Sequence, residues 1–458
     1  MTDFAFPKAF AERMQNQLGS EWQNFVDAHL KSSPVSIRIN RKKRPQISQM
    51  NTDGVGLEKI LWTEFGYYLG ERPSFTFDPL FHAGTYYVQE GSSMFIEQAL
   101  KQTVDLSKPL RVLDLCAAPG GKSTHMLSLL NDDSLLVTNE VIRSRATILA
   151  ENICKWGNIN CVVTNNDPED FERLNGFFDV ILIDAPCSGE GLFRKDMDAM
   201  NEWSEDNAKL CSLRQQRILE QVWPSLKQDG ILIYSTCTYN KEEDLENILR
   251  LSSKFEVRSQ KLEVKGWNID EIERDGFYGY QFYPHKVKGE GFFISVLQKK
   301  DAEDEIQTRS KKSFDYASKK ITEQLSSWMR NQSGIEFILN NDLILAIPKN
   351  QKDEIELLSK NLRVIQKGTA VATLKHDKLI PEHDFALSNE INLENFPSIE
   401  LNYDEAIAYL RKDNLNLASE KKGFMLLKYQ STPIGWINHL GNRINNLYPM
   451  NWRIRTSK

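Results

Sequence analysis

Between residues 85 and 300, short apolar runs alternate with longer stretches in which apolar side chains recur every three or four positions. The runs predict buried strands and the longer stretches predict helices. Regular strand–helix alternation is typical of a parallel sheet covered by helices on both faces, so we predict an α/β domain here. The strands are expected at 110–116, 134–140, 161–165, 179–184 and 230–236, and the helices at 123–130, 143–156, 206–223 and 241–251.

The pattern is less regular on either side of this domain. Residues 1–84 form a mixed N-terminal segment, and residues 301–315 carry charge without periodicity, which indicates a linker. Residues 316–458 predict a separate α+β domain. The further elements expected are strands at 35–40, 334–339 and 343–347, a helix at 317–329, and an edge hairpin formed by 255–262 and 292–298.

Composition sets the broad class. A chain of 458 residues with 40% apolar side chains has room for two or three domains. No apolar run approaches the roughly 20 residues that span a bilayer, and the first residues lack the features of a signal peptide. Six cysteines without a C-x-x-C pair disfavour disulfide and zinc frameworks. We therefore expect a cytoplasmic monomer with no membrane contact and no metal.

Positive charge is concentrated in two segments, although the net charge is −6. Residues 31–44 contain six Lys or Arg and no acid, and residues 421–458 contain seven and again no acid. Cations for phosphates and flat rings for unstacked bases favour RNA binding. The alternative for the tail, a solvated basic face with ordinary core aromatics, stays equally open. The aromatic residues interleaved in the tail are Phe424, Tyr429, Trp436, Tyr448 and Trp452.

A glycine-rich loop follows the first strand of the α/β domain, which ends at Asp114. The loop includes Gly-Lys-Ser at 121–123, as a nucleotide phosphate loop does. A phosphate loop needs a further glycine at the position of Cys116, and Pro119 removes one of the N–H donors that such a loop directs at phosphate. Nucleotide hydrolysis is therefore disfavoured.

The same loop suits S-adenosylmethionine, which offers a carboxylate, a ribose diol and an adenine. Small residues let the backbone approach a ligand, and the following helix N-terminus favours the carboxylate. Glu140 ends the second strand, where an acid can accept the ribose hydroxyls, and Asp167 follows the third strand near the expected adenine. Singly, either acid is more often a helix cap or a surface acid. The cofactor-binding residues expected in the loop are Cys116, Ala117, Ala118, Pro119, Gly120, Gly121 and Lys122.

Cys187 and Cys237 each follow a strongly apolar run, at 180–183 and 231–234. Ligands of open α/β sheets bind beyond the carboxyl ends of the strands, so both thiols are expected in one crevice if the strands are neighbours. Asp184 precedes the first thiol by three residues and is also expected to border the cofactor.

This pairing suits methylation of cytosine at carbon 5. A thiolate that adds to carbon 6 makes carbon 5 nucleophilic, and a second thiol assists release. A carboxyl hydrogen-bonded at ring N3 helps the addition, and Asp184 is the candidate. Arg194 and Lys195 are expected to lower the thiol pKa or to hold RNA phosphates. Cys154, Cys161 and Cys211 are expected only to pack. The residues themselves leave open which thiol attacks.

Three strings, DLCAAPGGK (114–122), DAPCSGEG (184–191) and YSTCT (234–238), resemble the RNA cytosine-C5 methyltransferases of the Sun and nucleolar-protein family. Further matching strings are YVQEGSSM, RQQRIL and GEGFF. The resemblance implies a Rossmann-like class I methyltransferase sheet with S-adenosylmethionine as cofactor. It also implies that Cys237 is the nucleophile and that Cys187 assists release.

The C-terminal region resembles the extension of the bacterial branch that methylates small-subunit (16S) rRNA, through PEHDFALS (381–388) and the closing GWINHLGNRINNLYPMNWRIR. The resemblance implies a PUA-like RNA-binding fold there. Ile437 stands where that branch usually has a basic residue, and KEEDLE follows Asn240 where the family usually has Glu-Asn-Glu. Two alternatives remain beside rRNA methylation: the same reaction on tRNA, and a catalytically idle RNA-binding assembly factor.

Overall fold

The computed structural model of the chain describes residues 6–43, 56–302 and 314–456. Arg44, most of the predicted linker and Lys458 lie outside the described residues. The N-terminal region is a helix pair followed by an antiparallel sheet in the order β2-β3-β1-β4. Its elements are α1 (Lys8–Leu18), α2 (Trp22–His29), β1 (Val35–Ile39), β2 (Leu57–Lys59), β3 (Gly66–Leu69), α3 (Pro79–His82) and β4 (Tyr86–Val88).

The central region is the predicted α/β domain. Its five central strands run parallel in the order β7-β6-β5-β8-β9, and three antiparallel strands, β13, β12 and β11, extend the sheet beyond β9. The prediction of a parallel sheet covered by helices is confirmed. The elements are α4 (Ile96–Thr103), β5 (Arg111–Asp114), α5 (Gly121–Leu129), β6 (Leu135–Asn139), α6 (Arg143–Trp156), β7 (Cys161–Thr164), β8 (Phe178–Asp184), α7 (Met197–Glu202), α8 (Glu205–Val222), β9 (Leu226–Thr236), α9 (Leu245–Ser252), β10 (Val257–Ser259), β11 (Asp270–Arg274), β12 (Phe277–Phe282) and β13 (Phe292–Lys299).

Both faces of this sheet are buried. Successive side chains of a strand point to opposite faces, so each central strand contributes to two cores. In β8, Val180 and Leu182 join the core that also contains α5 and α6 side chains. Ile181 and Ile183 join the core formed with α8 and α9. This two-sided burial explains why the central strands are continuous apolar runs in the sequence.

The far edge of the sheet differs from the predicted hairpin. β10 does pair antiparallel with β13, as expected, but β12 also pairs with β13 and carries β11 at the sheet edge. β11 has the sequence Asp-Glu-Ile-Glu-Arg and is largely exposed. Charged residues are usual on an edge strand, where they discourage pairing with other chains. Because of them, this strand lacks the apolar pattern that predicts a strand from sequence.

The C-terminal region contains two sheets, in the orders β14-β15-β16-β18-β19 and β20-β21-β22-β23. One of its strands, β17, leaves the region and pairs antiparallel with β7, covering that edge of the central sheet. The elements are β14 (Asp315–Tyr316), α10 (Lys319–Ser326), β15 (Ile335–Asn340), β16 (Leu343–Pro348), α11 (Lys352–Asn361), β17 (Val364–Lys367), β18 (Thr369–Lys375), β19 (Lys378–Pro381), α12 (His383–Leu387), β20 (Ser398–Leu401), α13 (Tyr403–Arg411), β21 (Gly423–Tyr429), β22 (Thr432–His439) and β23 (Ile444–Asn446).

Candidate active site

The two cysteine-bearing segments begin at the carboxyl ends of neighbouring parallel strands. In the register of β8 and β9, Asp184 lies opposite Ser235, and the Ala185 N–H donates to the Ser235 carbonyl. The main chain joins the segments again further on, where the Gly191 N–H donates to the Cys237 carbonyl at 2.9 Å. The neighbouring strands that the convergence of the thiols requires are therefore present.

Cys187 and Cys237 are in direct contact, with 2.8 Å between their sulfur atoms. The Cys237 N–H also points at the Cys187 sulfur, at 3.2 Å. The hydrogen bond with Cys237, together with burial, raises the pKa of Cys187 well above its ordinary value. Cys187 is thus held as a neutral thiol that can donate a hydrogen bond to the Cys237 sulfur.

Asp184 lies between the thiols and the glycine-rich loop. Its carboxylate accepts from the Ser235 hydroxyl at 2.9 Å and forms an ion pair with the Lys122 ammonium at 2.7 Å. Burial lowers the pKa of Lys122, but its interactions with nearby groups, above all with the Asp184 carboxylate, outweigh burial and raise it. Lys122 therefore remains a cation beside the thiols, where a positive charge favours a thiolate.

The cation near the thiols is thus Lys122, which sequence reasoning had assigned only to the cofactor loop. Arg194 is not available for the phosphate contact expected of it. Its side chain is 6% exposed, and its guanidinium pairs with the Glu290 carboxylate at 3.0 Å. Lys195 is exposed at the surface.

The glycine-rich loop forms one wall of a cleft together with β4, Glu90, Ser93 and Asp184. Gly120 has φ +111°, a conformation that side chains rarely adopt, and a Cβ on Gly121 would lie 3.3 Å from the Tyr87 ring. The expected loop residues that line the cleft are Cys116, Ala117, Ala118, Pro119, Gly121 and Lys122. The loop thus leaves room for a ligand where larger residues would fill it.

Asp114, at the end of β5, lines this cleft and carries a buried carboxyl oxygen without a hydrogen-bond partner. One carboxyl oxygen accepts from the Ser123 hydroxyl at 2.6 Å, whereas the other is buried and has no hydrogen-bond partner. Burial raises the pKa of Asp114 to about 7. An ammonium group on a ligand would satisfy this oxygen, and S-adenosylmethionine carries one. The cleft therefore fits the cofactor that the sequence predicted.

Glu140 and Asp167 both have local partners. The Glu140 carboxylate accepts from the Ile142 N–H at 2.9 Å and lies 3.4 Å from the Arg145 guanidinium. Asp167 caps the short helix Pro168–Leu174 and pairs with Arg217 at 3.5 Å. Neither belongs to the lining of the cleft just described. Their contacts to ribose and adenine stay predictions.

Two buried carboxylates near the thiols escaped the sequence analysis. Glu190 accepts from the Trp203 indole N–H and the Tyr239 N–H and pairs with Arg13 of α1 at 2.7 Å. Glu243 accepts from the residues that follow each cysteine. An acid three residues after Cys187 and another six after Cys237 were the available signals.

The two basic segments combine structural and exposed cations. Arg38 is 1% exposed, and its guanidinium donates to the Thr124 hydroxyl at 2.7 Å, so it fastens β1 to α5. In the tail, Trp436 and Tyr448 are buried core residues, which supports the core alternative for these two rings. The remaining tail aromatics, Phe424, Tyr429 and Trp452, are partly exposed.

Comparison with known families identifies the chain. The model of the 16S rRNA methyltransferase RsmB/F family matches residues 101–298. The N-terminal domain of the 16S rRNA methyltransferase RsmF matches 6–91, and the RsmF PUA domain matches 396–454. The ribosomal RNA small subunit methyltransferase F of Shewanella loihica is 30% identical over 97% of this chain and 94% of its own length. The chain belongs to the RsmB/F family. The resemblance drawn from the sequence is confirmed.

Two further relatives of this RsmB/F-family chain are also named as methyltransferases or their homologues. Ribosomal RNA small subunit methyltransferase F of Shewanella oneidensis is 33% identical over 93% of this chain and 92% of its own length. A crystal structure of a methyltransferase homologue from Pyrococcus horikoshii, 28% identical, has a TM-score of 0.55 over 64% of this chain and 96% of its own.

NSun6 from Pyrococcus horikoshii, solved with SFG, shares the fold with a TM-score of 0.55, at 20% identity over 66% of this chain and 99% of its own. Membership of this methyltransferase family, rather than that likeness of fold, confirms the predicted cofactor: the chain is an S-adenosylmethionine-dependent methyltransferase. Among the described residues, no helix has the length and apolarity to cross a bilayer, and no acid, His or Cys cluster is arranged to hold a metal ion.

Proposed function

We propose that this chain methylates carbon 5 of a cytosine in small-subunit (16S) rRNA. The contact between the Cys187 and Cys237 sulfurs, beside the Lys122–Asp184 ion pair, carries the reaction type. The names of the curated relatives and the family models support the RNA target. The N-terminal and PUA-like regions would contribute the RNA contacts that flank the reacting base.

The proposed roles combine the contacts in the site with the family resemblance, which implies that Cys237 is the nucleophile. Cys237 adds to cytosine carbon 6 as a thiolate, and its proton passes through the Asp184 carboxyl to ring N3, where negative charge develops. The proton returns to Asp184 when carbon 5 takes the methyl group. Lys122 holds Asp184 in place and favours the thiolate. S-adenosylmethionine supplies a methyl group on a sulfonium, which is electrophilic enough for carbon 5 of the activated ring.

Release is an elimination: water takes the proton from carbon 5, the electrons of that bond restore the ring double bond, and the bond between carbon 6 and sulfur breaks. Cys187, held as a thiol, donates a hydrogen bond to the departing Cys237 sulfur. This stabilises the thiolate that leaves. The base must be turned out of its stack to reach the crevice, which costs a few kcal/mol and is easiest in a loop.

Exchange of the two thiols tests this proposal. We expect Cys237→Ala to abolish methylation, because no adduct forms. Cys187→Ala should form the adduct and release it slowly, so that a protein–RNA species resistant to denaturing gels accumulates. An active Cys237→Ala variant, or an adduct in that variant alone, would contradict the assignment. Bisulfite sequencing of rRNA and tRNA from a deletion strain identifies the target, and a missing mark in tRNA only would refute the rRNA assignment.

A further inference from the structure

One fully buried carboxylate is hydrogen-bonded to the residues that follow the two cysteines. Glu243 is 0% exposed and accepts hydrogen bonds from four donors on three segments of the chain. Its oxygens face the Ser188 N–H at 2.9 Å, the Ser188 hydroxyl, the Gln215 amide at 3.0 Å and the Thr238 hydroxyl at 3.4 Å. A carboxylate only accepts, so it suits a pocket built from donors.

These donors are placed with respect to the thiols. Ser188 directly follows Cys187, and Thr238 directly follows Cys237. The two hydroxyls also contact each other at 3.0 Å. Glu243 therefore joins the residues next to each sulfur through one pair of oxygens, and the contact of 2.8 Å between the sulfurs depends on both segments holding their places.

The hydrogen bonds that Glu243 accepts from the two cysteine segments form a clamp. The third segment connects this clamp to the rest of the domain. The Gln215 amide of α8 donates both to Glu243 and to the Pro186 carbonyl, one residue before Cys187. The Gln215 oxygen in turn accepts from the Asn247 amide of α9 at 2.8 Å. The carboxylate thus links both cysteine segments to two helices that form one face of the sheet.

We propose that Glu243 is a positioning residue that holds Cys187 against Cys237 and thereby sets how fast the covalent RNA adduct is released. The proposal rests on the proposed function, because it needs an adduct on Cys237. Glu243 acts on the sulfurs through Ser188 and Thr238, to which it is hydrogen-bonded. Its loss should affect release, which needs both thiols, more than adduct formation, which needs Cys237.

Glu243→Gln is the test variant, since it keeps the size of the side chain and places an amide N–H among donors. Charge-assisted hydrogen bonds of this kind are worth enough to expect release to slow about tenfold to a hundredfold. Adduct formation should change by no more than about threefold. Glu242→Gln is the matched control, because Glu242 is the adjacent residue and is exposed. Ser188→Ala, which removes one donor and leaves the carboxylate, is the milder second variant.

Two RNA substrates separate the two steps. RNA with 5-fluorocytosine at the target has no proton to lose from carbon 5, so it traps the adduct and reports formation alone. Ordinary RNA with saturating S-adenosylmethionine reports the steady-state fraction of adduct and the turnover. We expect Glu243→Gln to trap fluorinated RNA at nearly the wild-type rate and to accumulate adduct on ordinary RNA, as Cys187→Ala does. Glu242→Gln should match the wild type in both.

Each other outcome counts against the proposal. If Glu243→Gln and Ser188→Ala both release adduct at the wild-type rate, the clamp does not set release. If trapping, turnover and S-adenosylmethionine affinity all fall together, Glu243 only supports the fold. If wild-type protein traps no fluorinated RNA, the proposed function itself fails, and this result is distinguishable because it does not depend on Glu243.

Discussion

Lys122 should act on the thiol and the base rather than on the cofactor. The sequence assigned it to the cofactor loop, but its ammonium pairs with Asp184 and lies within the electrostatic influence of Cys237. We therefore predict that Lys122→Met lowers the rate of adduct formation and leaves the affinity for S-adenosylmethionine nearly unchanged.

The size of the effect follows from the ion pair. Removing one partner of a fully buried pair costs about 3–5 kcal/mol. The Lys122 ammonium is 2.7 Å from Asp184, but the aspartate side chain is 35% exposed, so water replaces part of the lost interaction. A loss of about 1.4–2.8 kcal/mol in the transition state is reasonable, which corresponds to roughly tenfold to a hundredfold in rate.

The pH dependence gives a second signature. A cation beside a thiol favours the thiolate, so its removal should move the rising limb of the pH–rate profile to higher pH. Single-turnover trapping of fluorinated RNA between about pH 6 and 9 measures this limb, and calorimetry measures the cofactor affinity. Lys122→Arg should recover part of the rate because it restores the charge. If affinity falls in proportion to rate and the profile does not move, Lys122 is a cofactor ligand and the reasoning is wrong.

Two further predictions concern the cofactor cleft and its support. Burial raises the pKa of Asp114 to about 7, so the folded apo-protein binds a proton more tightly than the unfolded chain. Stability of the apo-protein should therefore fall as pH rises from about 4 to 7 while S-adenosylmethionine binding strengthens toward pH 7, and Asp114→Asn should remove both trends in calorimetry and thermal melts. Arg38→Met should lower the free energy of unfolding by about 2–4 kcal/mol in urea titrations, since Arg38 bonds Gln89 and Thr124 and stacks on Trp156 at 4.4 Å. A loss below about 0.5 kcal/mol would show that these contacts are compensated.

The central sheet could be predicted because burial on both faces makes its strands continuous apolar runs. The helix at Arg143–Trp156 was predicted with its observed bounds. The strand at Asp270–Arg274 could not be found in this way, since an edge strand is kept charged to prevent further pairing. Nor could the transfer of Val364–Lys367 to the central sheet, because pairing with a distant strand leaves no local pattern.

The candidate site, too, could be predicted only where a local pattern or a rule of sheet geometry applied. The convergence of Cys187 and Cys237 followed from the rule that the loops of neighbouring parallel strands meet, and the structure brings the sulfurs together. The expectation that Arg194 holds phosphate was wrong, because its partner in the fold, Glu290, is distant in the sequence. Glu243 was missed because its donors come from three separate segments, which only the fold assembles.

Two strand ends alone do not account for a contact of 2.8 Å between sulfurs, because neighbouring strands lie about 4.8 Å apart. Each cysteine lies beyond its strand, Cys187 three residues after Asp184 and Cys237 one residue after Thr236, so the turns must bring the sulfurs closer. Turns that line a substrate crevice gain little from apolar packing. Hydrogen bonds to buried acceptors can hold such turns in place instead. Glu190 and Glu243 supply them, and both accept from residues just beyond Cys237. The geometry that makes the second thiol useful is thus held by carboxylates outside the reacting set.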